Sequence, residues 1–125
     1  MNENAIGKGV LGCALTVHRA LGPGLLESVY ETCLAHELTK AGFGFKRQLT
    51  LPVVYDGITM EAGYRLDLLV EDRVVLEVKA IETVLEVHRA QLLSYLRLGG
   101  YRLGYVLNFN VPLMRDGIVR LVNQA

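Results

Sequence analysis

In the stretch YRLDLLVEDRVVLEVKAIET, residues 64–83, Asp67, Glu77 and Lys79 interrupt what otherwise reads as two apolar strands. The spacing can be tested by register. A two-residue loop at Glu71-Asp72 pairs Asp67 with Leu76 and mixes charged and apolar residues on both faces. A three-residue loop, Glu71 to Arg73, pairs Val70 with Val74 and Asp67 with Glu77. One face then holds Leu66, Leu68, Val70, Val74, Leu76 and Val78, and the other Asp67, Leu69, Val75, Glu77 and Lys79. Segregation favours this second register, in which opposed side chains lie about 4.5–5.5 Å apart at Cβ. Two carboxylates that close repel each other unless positive charge joins them. A divalent cation does so, because hard cations take carboxylate oxygens and backbone carbonyls, and the carbonyl of Val78 is adjacent. The simpler alternative is a solvated strand face on which the three residues make surface ion pairs.

The elements that must position these residues are legible from periodicity. Ala5–Ala20 places Ile6, Val10, Cys13, Ala14 and Val17 at helical spacing. LGPG breaks this helix, and Pro23 suits the opening of a second over about Leu25–Lys40, with Leu26, Tyr30, Cys33, Leu34 and Leu38 on one face. Gly42 stops it. Strands follow over Phe43–Tyr55, Ile58–Val70 and Val74–Ala80, the first two joined by a turn at Asp56-Gly57. A third helix, about Val84–Leu98, ends at Gly99-Gly100, and strands near Arg102–Phe109 and Ile118–Val122 complete the chain. The order predicts an α/β fold, a mixed central β-sheet flanked by helices, in a single domain over residues 1–125. On the third helix His88, Gln91 and Tyr95 form a polar stripe, while Leu85, Leu92, Leu93 and Leu96 supply a packing face.

Thirteen basic and thirteen acidic residues leave a formal net charge of zero, so no overall field draws the chain to nucleic acid or membrane, and any anion-binding surface must be a local patch. Arg65, Arg73, His88, Arg89 and Arg97 are the candidates for gripping a phosphate backbone. Cys13 and Cys33 lack metal-site spacing and read as core thiols. The N-terminus shows no signal pattern, since Lys8, His18 and Arg19 interrupt its apolar residues; a cytoplasmic protein is expected.

The second helix opens on GLLESVY, with Glu27 and Tyr30 three residues apart. Taken alone, Glu27 reads as a residue complementing the positive end of its helix. With Asp67 and Glu77-Val78-Lys79, followed on the next helix by Gln91 and Tyr95, the chain resembles the PD-(D/E)xK nuclease superfamily. Gly24-x-x-Glu27-x-x-Tyr30 is similar to the signature of the bacterial GxxExxY proteins placed in it, and the likeness runs from about Val10 to Asn123. The resemblance implies a restriction-endonuclease-like core and Mg²⁺ or Mn²⁺ held by Asp67, Glu77 and the Val78 carbonyl, with Glu27 at the metal edge. It implies that Lys79 sits beside the attacking water and that Gln91 and Tyr95 orient the lysine or touch the scissile phosphate. Leu66 stands where the superfamily has proline before the aspartate, and Asn110 where it often has glycine. The expected function is metal-dependent phosphodiester hydrolysis of DNA or RNA. The alternative is a nuclease-like binding or assembly module that does not turn over and acts with a protein partner or as a homo-oligomer.

Overall fold

The computed structural model describes residues 1–124. The chain forms helices α1 (Glu3–Leu21) and α2 (Glu27–Lys40), strands β1 (Phe45–Tyr55), β2 (Ile58–Val70) and β3 (Val74–Lys79), helix α3 (Glu86–Gly99), and strands β4 (Leu103–Asn108) and β5 (Ile118–Val122). A short 3-10 turn, Met114–Gly117, precedes β5. The strands lie in the order β1-β2-β3-β4-β5. β3 and β4 run parallel and every other neighbouring pair is antiparallel, so this is the mixed sheet expected from the sequence. No helix among the described residues is long and apolar enough to cross a membrane.

Each face of the sheet has its own core. On one side α1 and α2 pack Ile6, Val10, Val17, Tyr30, Leu34 and Leu38 against Leu68, Val70, Leu76, Val78, Leu107 and Phe109. On the other, Leu92 and Leu96 of α3 cover Tyr64, Leu66, Leu69, Val75 and Val106. This double covering explains why β3 and β4 read as near-continuous apolar runs rather than as alternating strands. Cys13 is buried in the first core and Cys33 is half-buried beside it, both as free thiols.

The β2–β3 register is the one expected: Val70 faces Val74, Leu69 faces Val75 and Leu68 faces Leu76. One expectation about the faces is overturned. Leu66 packs under α3 with Tyr64, whereas Leu68 packs on the opposite face with Val70. β1 does the same, with Phe45 on the α1/α2 side and Leu49, Leu51 and Val53 under α3. Both strands trade faces at one rung, between Arg47↔Leu68 and Leu49↔Leu66, where Gln48 stands across from Asp67. Gln48 is in the left-handed region at φ 52, a conformation that costs a non-glycine residue about 1–3 kcal/mol.

Two helix expectations also need correction. Pro23 lies in the loop before α2, which begins at Glu27, and Leu26 is exposed rather than part of the packing face. The loop is held instead by Tyr30, whose hydroxyl donates to the Gly22 carbonyl (2.6 Å) and accepts from the Leu25 amide (3.1 Å). Leu85, expected in the α3 packing face, is the exposed N-cap of that helix.

Candidate active site

Beyond Leu68↔Leu76 the β2–β3 ladder stops and the two acids take over its hydrogen bonding. The Asp67 amide donates to Glu77 Oε2 (2.9 Å), and the Val78 amide donates to Asp67 Oδ2 (2.9 Å). Each carboxylate is thereby fixed by backbone of the neighbouring strand. Glu77 is buried at 5 % exposure and Asp67 is half-buried. Burial first, and then the Asp67 charge, pushes the Glu77 carboxyl up to about 8; the Asp67 amide and Lys79 pull it back only in part. The same two acids, after burial itself, raise the Tyr95 hydroxyl, to which the Gln91 side chain is hydrogen-bonded.

These residues open onto one cleft of about 420 Å³, lined by Glu27, Thr50, Ala62, Tyr64, Arg65, Asp67, Glu77, Lys79, Gln91 and Tyr95. All six candidate side chains therefore meet in one place. Lys79 ends β3 beside Asn108 of β4, and its carbonyl accepts the Phe109 amide (2.9 Å). Gln91 and Tyr95 come from α3, the crossover that a parallel β3–β4 pair requires. Tyr95 is braced by Tyr64, with ring centroids 5.0 Å apart. Glu27 begins α2 and reaches the end of β3, where its carboxylate accepts the Ala80 amide (3.3 Å).

Among the described residues no group of three or more His, Cys, Asp or Glu side chains is arranged to hold a metal ion, and Glu27 in the same cleft is bonded to the Ala80 amide. The pair still fits a small hard cation, since Mg²⁺ is commonly held through one or two carboxylates with water completing its shell. Its chemistry points the same way: two converging acids in a partly buried cleft lack a full countercharge, and Lys79 supplies no ion pair with either of them among the described residues.

Sequence reasoning missed several contributors. Glu31, buried at 7 % exposure, receives Arg47 (3.0 Å) and Gln48 (2.7 Å) from β1. Asn108, at 2 % exposure, pins the segment after Lys79 by accepting from the Ile81 amide (3.1 Å) and donating to the Ile81 carbonyl (2.9 Å). It also accepts the Asn110 amide (3.2 Å), which gives Asn110 a backbone role. Of the basic residues proposed for phosphate, only Arg65 lines the cleft. Arg73 is bonded to the Met1 carbonyl, Arg89 pairs with Glu86, and His88 accepts the Leu85 amide as a helix cap.

Comparison with known families agrees with this architecture. A model described as the PD-(D/E)XK nuclease superfamily matches residues 4–121, and the chain belongs to that superfamily. No curated protein and no solved structure matches it.

Proposed function

We propose that this protein is a metal-dependent nuclease that hydrolyses phosphodiester bonds of DNA or RNA by direct attack of water. The observation that carries the reading is the Asp67–Glu77 pair, each acid held by the other strand's backbone, in one cleft with Lys79, Gln91 and Tyr95. Asp67, Glu77 and the Val78 carbonyl would hold Mg²⁺ or Mn²⁺, with Glu27 at its edge directly or through water. The ion supplies charge stabilisation on phosphate and a lowered pKa for water. Lys79, at the lip of the same cleft, favours the hydroxide form of the attacking water and the charge developing on phosphate. Gln91 and Tyr95 orient the lysine or the phosphate from the α3 wall, and Arg65 of β2, lining the same cleft, offers a backbone contact.

Membership of the GxxExxY group is the finer reading. It is supported by a structural task for each signature residue: Gly24 adopts φ 100, Glu27 lines the cleft, and Tyr30 ties down the loop between them.

The test is cleavage of single- and double-stranded DNA and RNA with Mg²⁺ or Mn²⁺, with wild type run beside Lys79→Ala from the same preparation. Removing a single preorganised charge-stabilising group typically costs on the order of 100-fold in rate. Lys79→Ala is expected to lose at least that much while retaining Mn²⁺. Equal activity in the two would assign the cleavage to a contaminant. No activity in either, with Mn²⁺ bound, would favour the non-catalytic module.

A further inference from the structure

The geometry points to Glu31 as a positioning residue for the acidic pair, acting through the backbone of Gln48; this rests on the nuclease reading of the cleft. Glu31 follows Glu27 by one turn of α2 but does not line the cleft. Its two oxygens are both spent on β1: Oε1 accepts Gln48 Nε2 (2.7 Å), and Oε2 accepts Arg47 Nε (3.1 Å). A carboxylate at 7 % exposure is held there only by those partners.

The partners sit at the rung where β1 and β2 exchange faces. Gln48 is left-handed at φ 52 and stands across from Asp67. Glutamine has no intrinsic preference for that conformation, so a contact from outside the strand must hold it. Glu31 provides that contact. If the kink relaxed, β1 and β2 would keep regular alternation past this rung, and Asp67 would be turned relative to Glu77. The effect of Glu31 is therefore expected at two amides, Asp67 and Val78, whose hydrogen bonds fix the pair.

Glycine makes the inference testable, because it adopts a left-handed conformation without help. Four proteins are compared: wild type, Glu31→Ala, Gln48→Ala, and Glu31→Ala combined with Gln48→Gly. The readouts are the ¹⁵N–¹H positions of the Asp67 and Val78 amides without metal, and the Mn²⁺ dissociation constant. Glu31→Ala and Gln48→Ala are expected to move both amides and to weaken Mn²⁺ by about 10–100-fold, the range for loss of groups that orient metal ligands. The combined variant is expected to restore both. Gln48 is exposed, so its variant tests the role even if Glu31→Ala does not fold.

Unmoved amides in a folded Gln48→Ala protein would overturn the proposal. So would failure of glycine to restore the combined variant, because Glu31 also adds to the negative field on Glu77, and an effect of charge alone is indifferent to residue 48. The amide comparison needs no metal. It decides the positioning role even where wild type binds no Mn²⁺, a result that would count instead against the function proposed above.

Discussion

At the scale of the residue, the site is defined by a charge imbalance. Glu77 carries a proton near neutrality because burial and Asp67 disfavour its anion. An acid whose pKa rises from 4.5 to about 8 on folding binds a proton in the native state that the unfolded chain has released. Between those values the native state holds more protons, so stability falls as pH rises. The metal-free protein is expected to be less stable at pH 8 than at pH 5, by an amount on the order of a few kcal/mol, and so to melt lower. Glu77→Gln, which is neutral throughout, should flatten that dependence; thermal melts of both proteins across the range check it. Asp67→Asn should weaken Mn²⁺ binding in a titration and raise metal-free stability at pH 8, since it removes the neighbour that repels Glu77. Asp67, Glu77 and Lys79 were legible from the sequence because strand register is a local property with a period of two. Glu31 and Gln48 were not, because a left-handed backbone and a contact seventeen residues away leave no trace in composition or spacing.

At the scale of the element, the cleft depends on two loops fixed by single buried side chains. Tyr30 stacks on Phe109 at 4.7 Å and uses its hydroxyl to hold the loop that delivers Glu27. Tyr30→Phe keeps the stacking and leaves the Gly22 carbonyl and Leu25 amide without that partner. A loss of about 1–3 kcal/mol is expected in urea denaturation. Asn108 does the equivalent after Lys79, and Asn108→Ala should cost at least as much, with a fall in cleavage rate because the freed segment adjoins Lys79 at the end of β3. Periodicity located every helix and strand, since amphipathic patterns report burial directly. It placed the start of α2 too early because proline is equally at home in a loop, and the loop there is tied down by Tyr30 from inside the helix. It could not foresee the face exchange in β2, which arises from pairing with β1.

At the scale of the whole molecule, the hairpin of β1 and β2 outruns the rest of the sheet. Ile58–Leu66 pairs with β1 and not with β3, and Val54, Tyr55, Ile58 and Met60 are exposed at its end. Beyond Arg65 this arm carries Asp56 and Glu61 and no lysine or arginine, so it adds no cationic grip beside the cleft. Pro52 and the register shift between Leu51 and Val53 interrupt the outer edge of β1, which discourages strand addition there. Tyr55→Ser and Ile58→Thr are expected to change stability by no more than about 0.5 kcal/mol in chemical denaturation, because neither side chain is packed. The sequence offered five basic residues as a local grip, of which only Arg65 reaches the cleft, and it did not foresee the arm, whose exposure depends on where β3 stops.

The strand order also sets when the site forms. Asp67 and Glu77 meet through a hairpin that closes ten residues of chain, whereas Glu27 and the α3 wall arrive over longer separations. Short closures precede long ones, so the two acids confront each other on the way to the native state. Their repulsion is then felt in the folding step itself. Raising pH from 5 to 8 should slow refolding through that repulsion. The larger cost of burying the Glu77 anion under the later-arriving α3 wall should speed unfolding, so that both limbs of the chevron move. A divalent ion present during refolding should reverse the slowing.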